Sequence, residues 1–152
     1  MSDKLTYTLH HLVAEIDEYA DSYLQERHGV SYNLFEFLAV LAEVEPEDVT
    51  GLATCLGISK AAVSKRLPSL EADGWVATST DPHHGRRVMI SLTPKSYELL
   101  ATAGAELERE FQAIFADPSL DPASNPHAIA PEHLNAALNT LLAVFTKKVK
   151  PS

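Results

Sequence analysis

Residues 50–74 read TGLATCLGISKAAVSKRLPSLEADG, and the fold turns on this stretch. Leu52, Ala53 and Leu56 share one side of a short helix that Thr50 can cap. Gly57 breaks that helix, because glycine takes the left-handed conformation at a helix end without steric cost. Ile58 is apolar, and the Ser59 hydroxyl is placed to cap a second helix. The second helix carries Val63, Leu67 and Leu70 on one side and stops at Gly74. Two short helices around a tight glycine turn make a helix-turn-helix, whose second helix can lie in the major groove of duplex DNA. Pro68 sits inside that helix, where proline forfeits a hydrogen bond to the Ser64 carbonyl at about 3 kcal/mol. The expectation is a kink there, or an axis shifted so that only the first two turns occupy a groove.

Working outward, the period changes after Gly74. Residues 75–80 are β-prone, Asp81-Pro82-His83-His84-Gly85 is a turn cluster, and Val88–Leu92 reads as the returning strand. Residues 75–92 therefore form a hairpin, with the wing proper at 76–92. Upstream, Leu5, Leu9, Leu12, Val13, Ile16, Ala20 and Tyr23 recur at helical spacing over residues 4–26, and Gly29 ends that helix. Ser31 caps the next, on which Leu34, Leu38 and Leu41 share a face. Glu43–Asp48 is an acidic turn around Pro46. Downstream, Thr93-Pro94 opens a helix to about Ala116, because proline's missing N–H costs nothing at the first helical position. Its stripe is Tyr97, Leu100, Gly104, Leu107, Phe111 and Ile114; residues 117–130, with Pro118, Pro122 and Pro126, form a loop. Pro131 opens a last helix with Leu134, Leu138, Leu141, Leu142 and Phe145, ending near Lys147-Lys148, where lysines suit the helix dipole.

The fold class expected is mainly α with a small β-hairpin wing: a winged helix-turn-helix with flanking dimerisation helices. Residues 31–93 form the DNA-binding lobe, and residues 4–30 and 94–148 the helical dimerisation region. The flanking helices are apolar along one face, and a single chain offers them little to cover but each other. Their natural completion is a second copy, making a homodimer.

Charge is distributed in keeping with this. The chain has 152 residues, with 12 Lys+Arg against 21 Asp+Glu and a net charge of -9. Taken alone, that balance argues against a surface coated in nucleic acid. Residues 49–95, however, hold Lys60, Lys65, Arg66, Arg86, Arg87 and Lys95 against Glu71, Asp73 and Asp81, a net of +3, which leaves -12 on the remainder. The basic residues fall where a groove-reading helix and a wing would be, and there they can neutralise phosphates and release counterions.

Helical geometry of about 100° per residue sorts the second helix further. With Val63, Leu67 and Leu70 inward, Ala61, Lys65 and Pro68 point away, flanked by Ser64 and Ser69. Lys65 and Ser64 are assigned to base edges, Lys60 and Arg66 to phosphates or flanking bases, and Ala61 to a thymine methyl. Thr50 and Ser59, at the two helix starts, join the candidate DNA-binding set. So do His84, Arg86 and Arg87 at the wing, whose arginines can reach phosphates or a minor groove.

The run Leu52-Ala53, Leu56-Gly57-Ile58-Ser59, Ala62-Val63-Ser64, Leu67, Leu70-Glu71 and Gly74, followed by Asp81-Pro82, Arg86 and Ser91-Leu92-Thr93, resembles the MarR family of bacterial transcription regulators. The motif covers about residues 49–95, and the flanking helix order extends the likeness along nearly the whole chain. The resemblance implies a homodimer built by its first and last helices. It also implies a palindromic operator and, usually, repression relieved by a small ligand or by thiol oxidation. The wing departs from the family pattern. His84 stands at its second acidic position, Gly85 at its first arginine, and Thr78 where an arginine often follows the start of the first strand. These departures leave the family's acid–arginine brace an open question in this chain and point to a looser wing; residues 117–130 are also long for the family.

Other residues invite narrower readings. Tyr19, Tyr23, Phe37 and Trp75 are candidates to line a cavity for a small aromatic or phenolic effector, although aromatics at helical spacing more often belong to a core. Cys55, the single cysteine, excludes an intrachain disulfide and a thiolate zinc site within one chain. It reads as a small hydrophobe near the core ahead of a redox switch. His10, His11 and Glu15 share a surface helix without a tight cluster, so no metal and no cofactor are expected. His83-His84 reads as turn residues ahead of a pH sensor, and Gly104 as a simple tolerance or a close helix approach.

No run nears the ~18 apolar residues of a membrane span and no signal-like segment opens the chain, so the expected compartment is the cytoplasm. No enzyme motif is present: there is no His-Glu-x-x-His, phosphate-binding glycine loop or Gly-x-Ser-x-Gly. The alternative of another class is a winged-helix adaptor that contacts proteins and leaves DNA alone.

Overall fold

The computed structural model describes residues 4–149. The elements are α1 (Leu5–His28), α2 (Tyr32–Val44), β1 (Glu47–Asp48), α3 (Val49–Leu56), α4 (Lys60–Ala72), β2 (Val76–Asp81), β3 (His84–Leu92), α5 (Pro94–Phe115) and α6 (Pro131–Val149), with a short 3-10 turn at Pro118–Leu120. The fold is mainly helical with one small antiparallel sheet, in the order β1-β3-β2. No helix among the described residues is long and apolar enough to cross a membrane.

The helix starts follow local chemistry. The Ser31 hydroxyl accepts the Leu34 N–H at 3.1 Å and opens α2, and the Ser59 hydroxyl accepts the Ala62 N–H at 3.1 Å and opens α4. At α3 the sequence reading needs correction. The cap is Asp48, whose carboxylate accepts the Gly51 N–H at 2.7 Å, whereas Thr50 lies inside the first turn and its carbonyl accepts the Thr54 hydroxyl. Aspartate caps at least as well as threonine, and β1 delivers Asp48 to the cap position. Strand β1 was not foreseen either; two residues are too few for any periodic signal. It pairs with β3 through Glu47↔Ile90 and Asp48↔Met89.

The helix-turn-helix lobe is packed from every element around it. Phe37, Leu38 and Leu41 of α2, Leu52 and Ala53 of α3, Val63, Leu67 and Leu70 of α4, and Val76, Ile90 and Leu92 of the sheet form one buried cluster. Burying each large member contributes about 1.5–3 kcal/mol. The inward stripe read from the sequence of α4 is the observed one. Helix α4 runs unbroken through Pro68, which is exposed.

A second cluster joins Ala20 and Leu24 of α1 and Val30 to Ala103 and Leu107 of α5. The chain divides into two compact units after Leu107. The first holds both clusters. The second holds the end of α5, the loop and α6. Its loop is ordered by its own side chains: Asp117, Asp121 and Asn125 accept the N–H groups of Ser119, Ala123 and His127 at 2.8–2.9 Å. Helix α6 buries none of its described residues.

Two more corrections concern positions near the motif. Cys55 is exposed, not set against the core. It lies two residues beyond Ala53, about 200° around the helix from that buried position. The returning strand starts at His84 and not at Val88, so the turn shrinks to Pro82-His83. The β2–β3 register runs from Val76↔Leu92 to Thr80↔Val88 and becomes irregular between Thr80 and Asp81.

Candidate nucleic-acid interface

The turn between α3 and α4 is set by Gly57, at φ 67°. Its N–H reaches the Thr54 carbonyl at 3.2 Å, and the Ile58 N–H reaches the Ala53 carbonyl at 3.1 Å. These bonds satisfy the last carbonyls of α3 and aim Ser59 at the start of α4. With Val63, Leu67 and Leu70 buried, helical geometry leaves Ala61, Ser64 and Lys65 away from the buried stripe; these three are exposed, and so is Lys60 at the first position of α4. Thr50 and Ser59 are exposed as well.

The six basic residues of the motif divide into two groups of three. Lys60, Lys65 and Arg86 are exposed, and among the described residues their side chains hold no hydrogen bond or ion pair. The other three are engaged within the protein. Arg66 lies with its guanidinium carbon 4.6 Å from the centre of the Phe37 ring and donates to the Asn33 carbonyl at 3.3 Å. Lys95 lies 3.9 Å over the Trp75 ring and donates to the Asp73 carbonyl at 2.7 Å. Arg87 donates from Nε to Asp48 at 2.5 Å and lies 3.8 Å from Asp81.

The last pair answers the question that the wing sequence leaves open. An acid–arginine brace exists, made by Asp48 at the cap of α3 and Asp81 at the end of β2, both closing on Arg87 of β3. The wing is thereby tied to the first helix of the motif. The Gly51 N–H, and after it Arg87, hold the Asp48 carboxyl below its ordinary range, while Asp48 pushes the Arg87 guanidinium up. Sequence reading sought the second acid two residues before Arg86. It lies 39 positions before Arg87, and the visible clue was an acidic residue just ahead of a short helix.

The wing has a second tether. The Thr78 hydroxyl donates to the Glu71 carboxylate at 2.7 Å, joining β2 to the end of α4. Behind it, Glu45 accepts the Leu92 N–H at 2.6 Å and the Tyr97 hydroxyl. His83 and His84 are exposed at the turn, where Asp81 accepts the His83 N–H at 2.8 Å.

The four aromatic candidates for an effector cavity occupy different settings. Phe37 is fully buried beneath Arg66, and Tyr19 is 40% exposed. The Tyr23 hydroxyl donates to Glu106 at 3.4 Å, and the same carboxylate oxygen lies 2.7 Å from His28 Nε2. Trp75 lines an open groove of about 250 Å³ with His28, Lys95, Glu98, Leu99 and Thr102. The groove does not include Tyr19, Tyr23 or Phe37. His11 and Glu15 approach to 3.8 Å on the exposed side of α1, and no group of three metal-ligating side chains occurs among the described residues.

Residues 28–87 match the model of the MarR family. The chain is 27% identical over 93 residues to the uncharacterized HTH-type transcriptional regulator YdgJ of Bacillus subtilis, across 61% of this chain and 57% of that protein. The match thus spans little more than half the length of that curated relative. Solved structures share the fold. The DNA complex of the MarR family regulator Sco3205 from Streptomyces coelicolor superposes with a TM-score of 0.74 at 23% identity, covering 97% of this chain and 87% of that one. The S. aureus MepR–DNA complex gives 0.74 at 17% identity, covering 98% and 100%. The regulator BldR from Sulfolobus solfataricus gives 0.71 at 24% identity, covering 91% and 92%.

Proposed function

We propose that the chain is a member of the MarR family and acts as a homodimeric, sequence-specific DNA-binding transcriptional regulator, a ligand-responsive repressor acting on a palindromic operator in the cytoplasm. It is not an enzyme; its work is recognition. Helix α4 reads the major groove and the β2–β3 wing reaches the flanking backbone. The observation that carries this reading is the separation of the motif's cations. Lys60, Lys65 and Arg86 stand exposed and unpartnered among the described residues on α4 and the wing, while Arg66, Lys95 and Arg87 are engaged by rings, carbonyls or carboxylates of the protein itself.

The first group supplies the DNA contacts: Lys65 and Ser64 to base edges, Ala61 to a thymine methyl, Lys60 and Arg86 to phosphates. Arg87 acts by holding the wing. The homodimer is supported by apolar side chains left in water: Leu5, Tyr7, Leu12 and Val13 on α1, and Leu142, Val144 and Phe145 on α6. A second copy covers them and sets two α4 helices about 10 base pairs apart. The effector is a small aromatic or phenolic compound, and the Trp75 groove is the first place to seek it. A melting-temperature rise in a screen of such compounds would identify it.

The test is duplex binding across a salt series. Wild type should bind with an affinity that falls steeply with salt, as counterion release requires. The Lys65→Ala/Arg86→Ala double variant should bind more weakly and with a flatter slope. Equal affinity for the two proteins would refute the assignment. Absence of binding even at low salt would favour the adaptor reading.

A further inference from the structure

We propose that Arg66 is a positioning residue that seats α4 against α2, and so sets sequence preference without touching DNA. The inference rests on the DNA-binding reading above. Three observations on this chain carry it. The Arg66 guanidinium covers the ring of Phe37, which is itself fully buried, at 4.6 Å. One of its N–H groups donates to the Asn33 carbonyl in the first turn of α2 at 3.3 Å. Finally, Lys60 and Lys65 on the same helix remain exposed, so the inward turn of Arg66 is a property of its position and not of α4 as a whole.

The chemistry fits a clamp. A guanidinium is flat, so it can stack on an aromatic face while its edge donates in plane. Burial pulls the Arg66 pKa down and Glu36 on α2 opposes that shift, so an acid on the partner helix helps hold the charge.

Seating matters here because the groove-facing side chains of α4 are short. Ala61, Ser64 and Pro68 have little reach, and Lys65 is the long side chain among them. With short side chains, base contact depends on how deep the helix backbone sits. A small tilt of α4 would withdraw Ala61 and Ser64 from the bases, whereas a phosphate contact by a flexible lysine would survive it.

The experiment compares Arg66→Met with Lys65→Met. The probes are a duplex selected by the wild-type protein from a random-sequence pool and a scrambled duplex of equal length. For Arg66→Met, preference for the selected duplex over the scrambled one should fall about 3–10-fold, within the range that a lost base contact produces. Its salt slope should stay at the wild-type value. Lys65→Met should lose preference as well. Phe37→Leu, which removes the platform, should cause a similar loss that is not additive with Arg66→Met.

A change confined to thermal stability would leave the preference ratio intact at temperatures well below melting, and that result would overturn the proposal. A slope flattened by about 0.9 per site in Arg66→Met would make Arg66 a phosphate contact and also overturn it. If wild type selects no duplex at all, the DNA-binding reading fails and this inference falls with it. The two failures are therefore told apart by the wild-type lane alone.

Discussion

Helix α4 and helix α6 are both amphipathic, and they end in opposite circumstances. Every apolar position of the α4 stripe is covered: Val63 is 0% exposed, Leu67 8% and Leu70 6%. On α6, Leu142 is 63% exposed and Phe145 55%, and no described residue of the helix is buried. The same sequence code, apolar residues every three or four positions, gives burial in one case and exposure in the other. The difference lies in what the chain supplies opposite each stripe. Helix α4 meets α2, α3 and the sheet. The α6 stripe meets no such cover among the described residues, and the proposed homodimer would supply it.

Mutations should separate the two helices. Phe37→Ala should cost about 3–5 kcal/mol in urea or thermal unfolding, because it empties the middle of a closed cluster. Phe145→Asp should barely change the packing within one chain. It should instead weaken self-association about tenfold or more, read by sedimentation across a concentration series. If Phe145→Asp left self-association untouched, α6 would not be the interface and the contrast would lose its meaning.

Two further changes sharpen the picture of the covered region. Gly57→Ala places a side chain at φ 67° and should cost about 1–2 kcal/mol, measured by chemical denaturation. Asp48→Ala removes the α3 cap and should cost about 1 kcal/mol at neutral pH. Its pH dependence has a definite sign. The folded-state pKa of Asp48 is depressed, so its contribution is present above the ordinary aspartate pKa of about 3.9 and is lost as pH falls through the lower folded value. Wild type should therefore lose more stability on acidification than Asp48→Ala does, and melting curves at stepped pH would check it. The smallest effect on folding belongs to Arg86→Ala, within about 0.5 kcal/mol of wild type, because the side chain is exposed. If Arg86 contacts phosphate as proposed, the same variant should show a flatter salt dependence of duplex binding.

The sequence made much of this legible, and the limits have physical reasons. The α4 stripe, the Ser31 and Ser59 caps, the Gly57 turn and the hairpin were readable because each is a local signal, carried by residues within a few positions of one another. What was missed is non-local or very short. The Asp48–Arg87 brace spans 39 positions, and β1 has two residues. Arg66 was read as a phosphate contact because helical projection places it on a flank, between exposed Lys65 and buried Leu67. Projection cannot say which way a long side chain folds from there. The ring of Phe37 and the carbonyl of Asn33 supply that answer, and both lie on another helix. Cys55 is exposed although it adjoins Leu56 in sequence, because one step along a helix is a turn of about 100° and neighbours in the chain need not share a face.

In the proposed complex, two copies of the chain present their α4 helices to successive major grooves of one duplex. A hydroxyl-radical footprint on a duplex selected by the wild-type protein tests it most directly. Two protected patches centred about 10 base pairs apart and related by two-fold symmetry are predicted. A single protected patch, or uniform cleavage along the whole duplex, would contradict it.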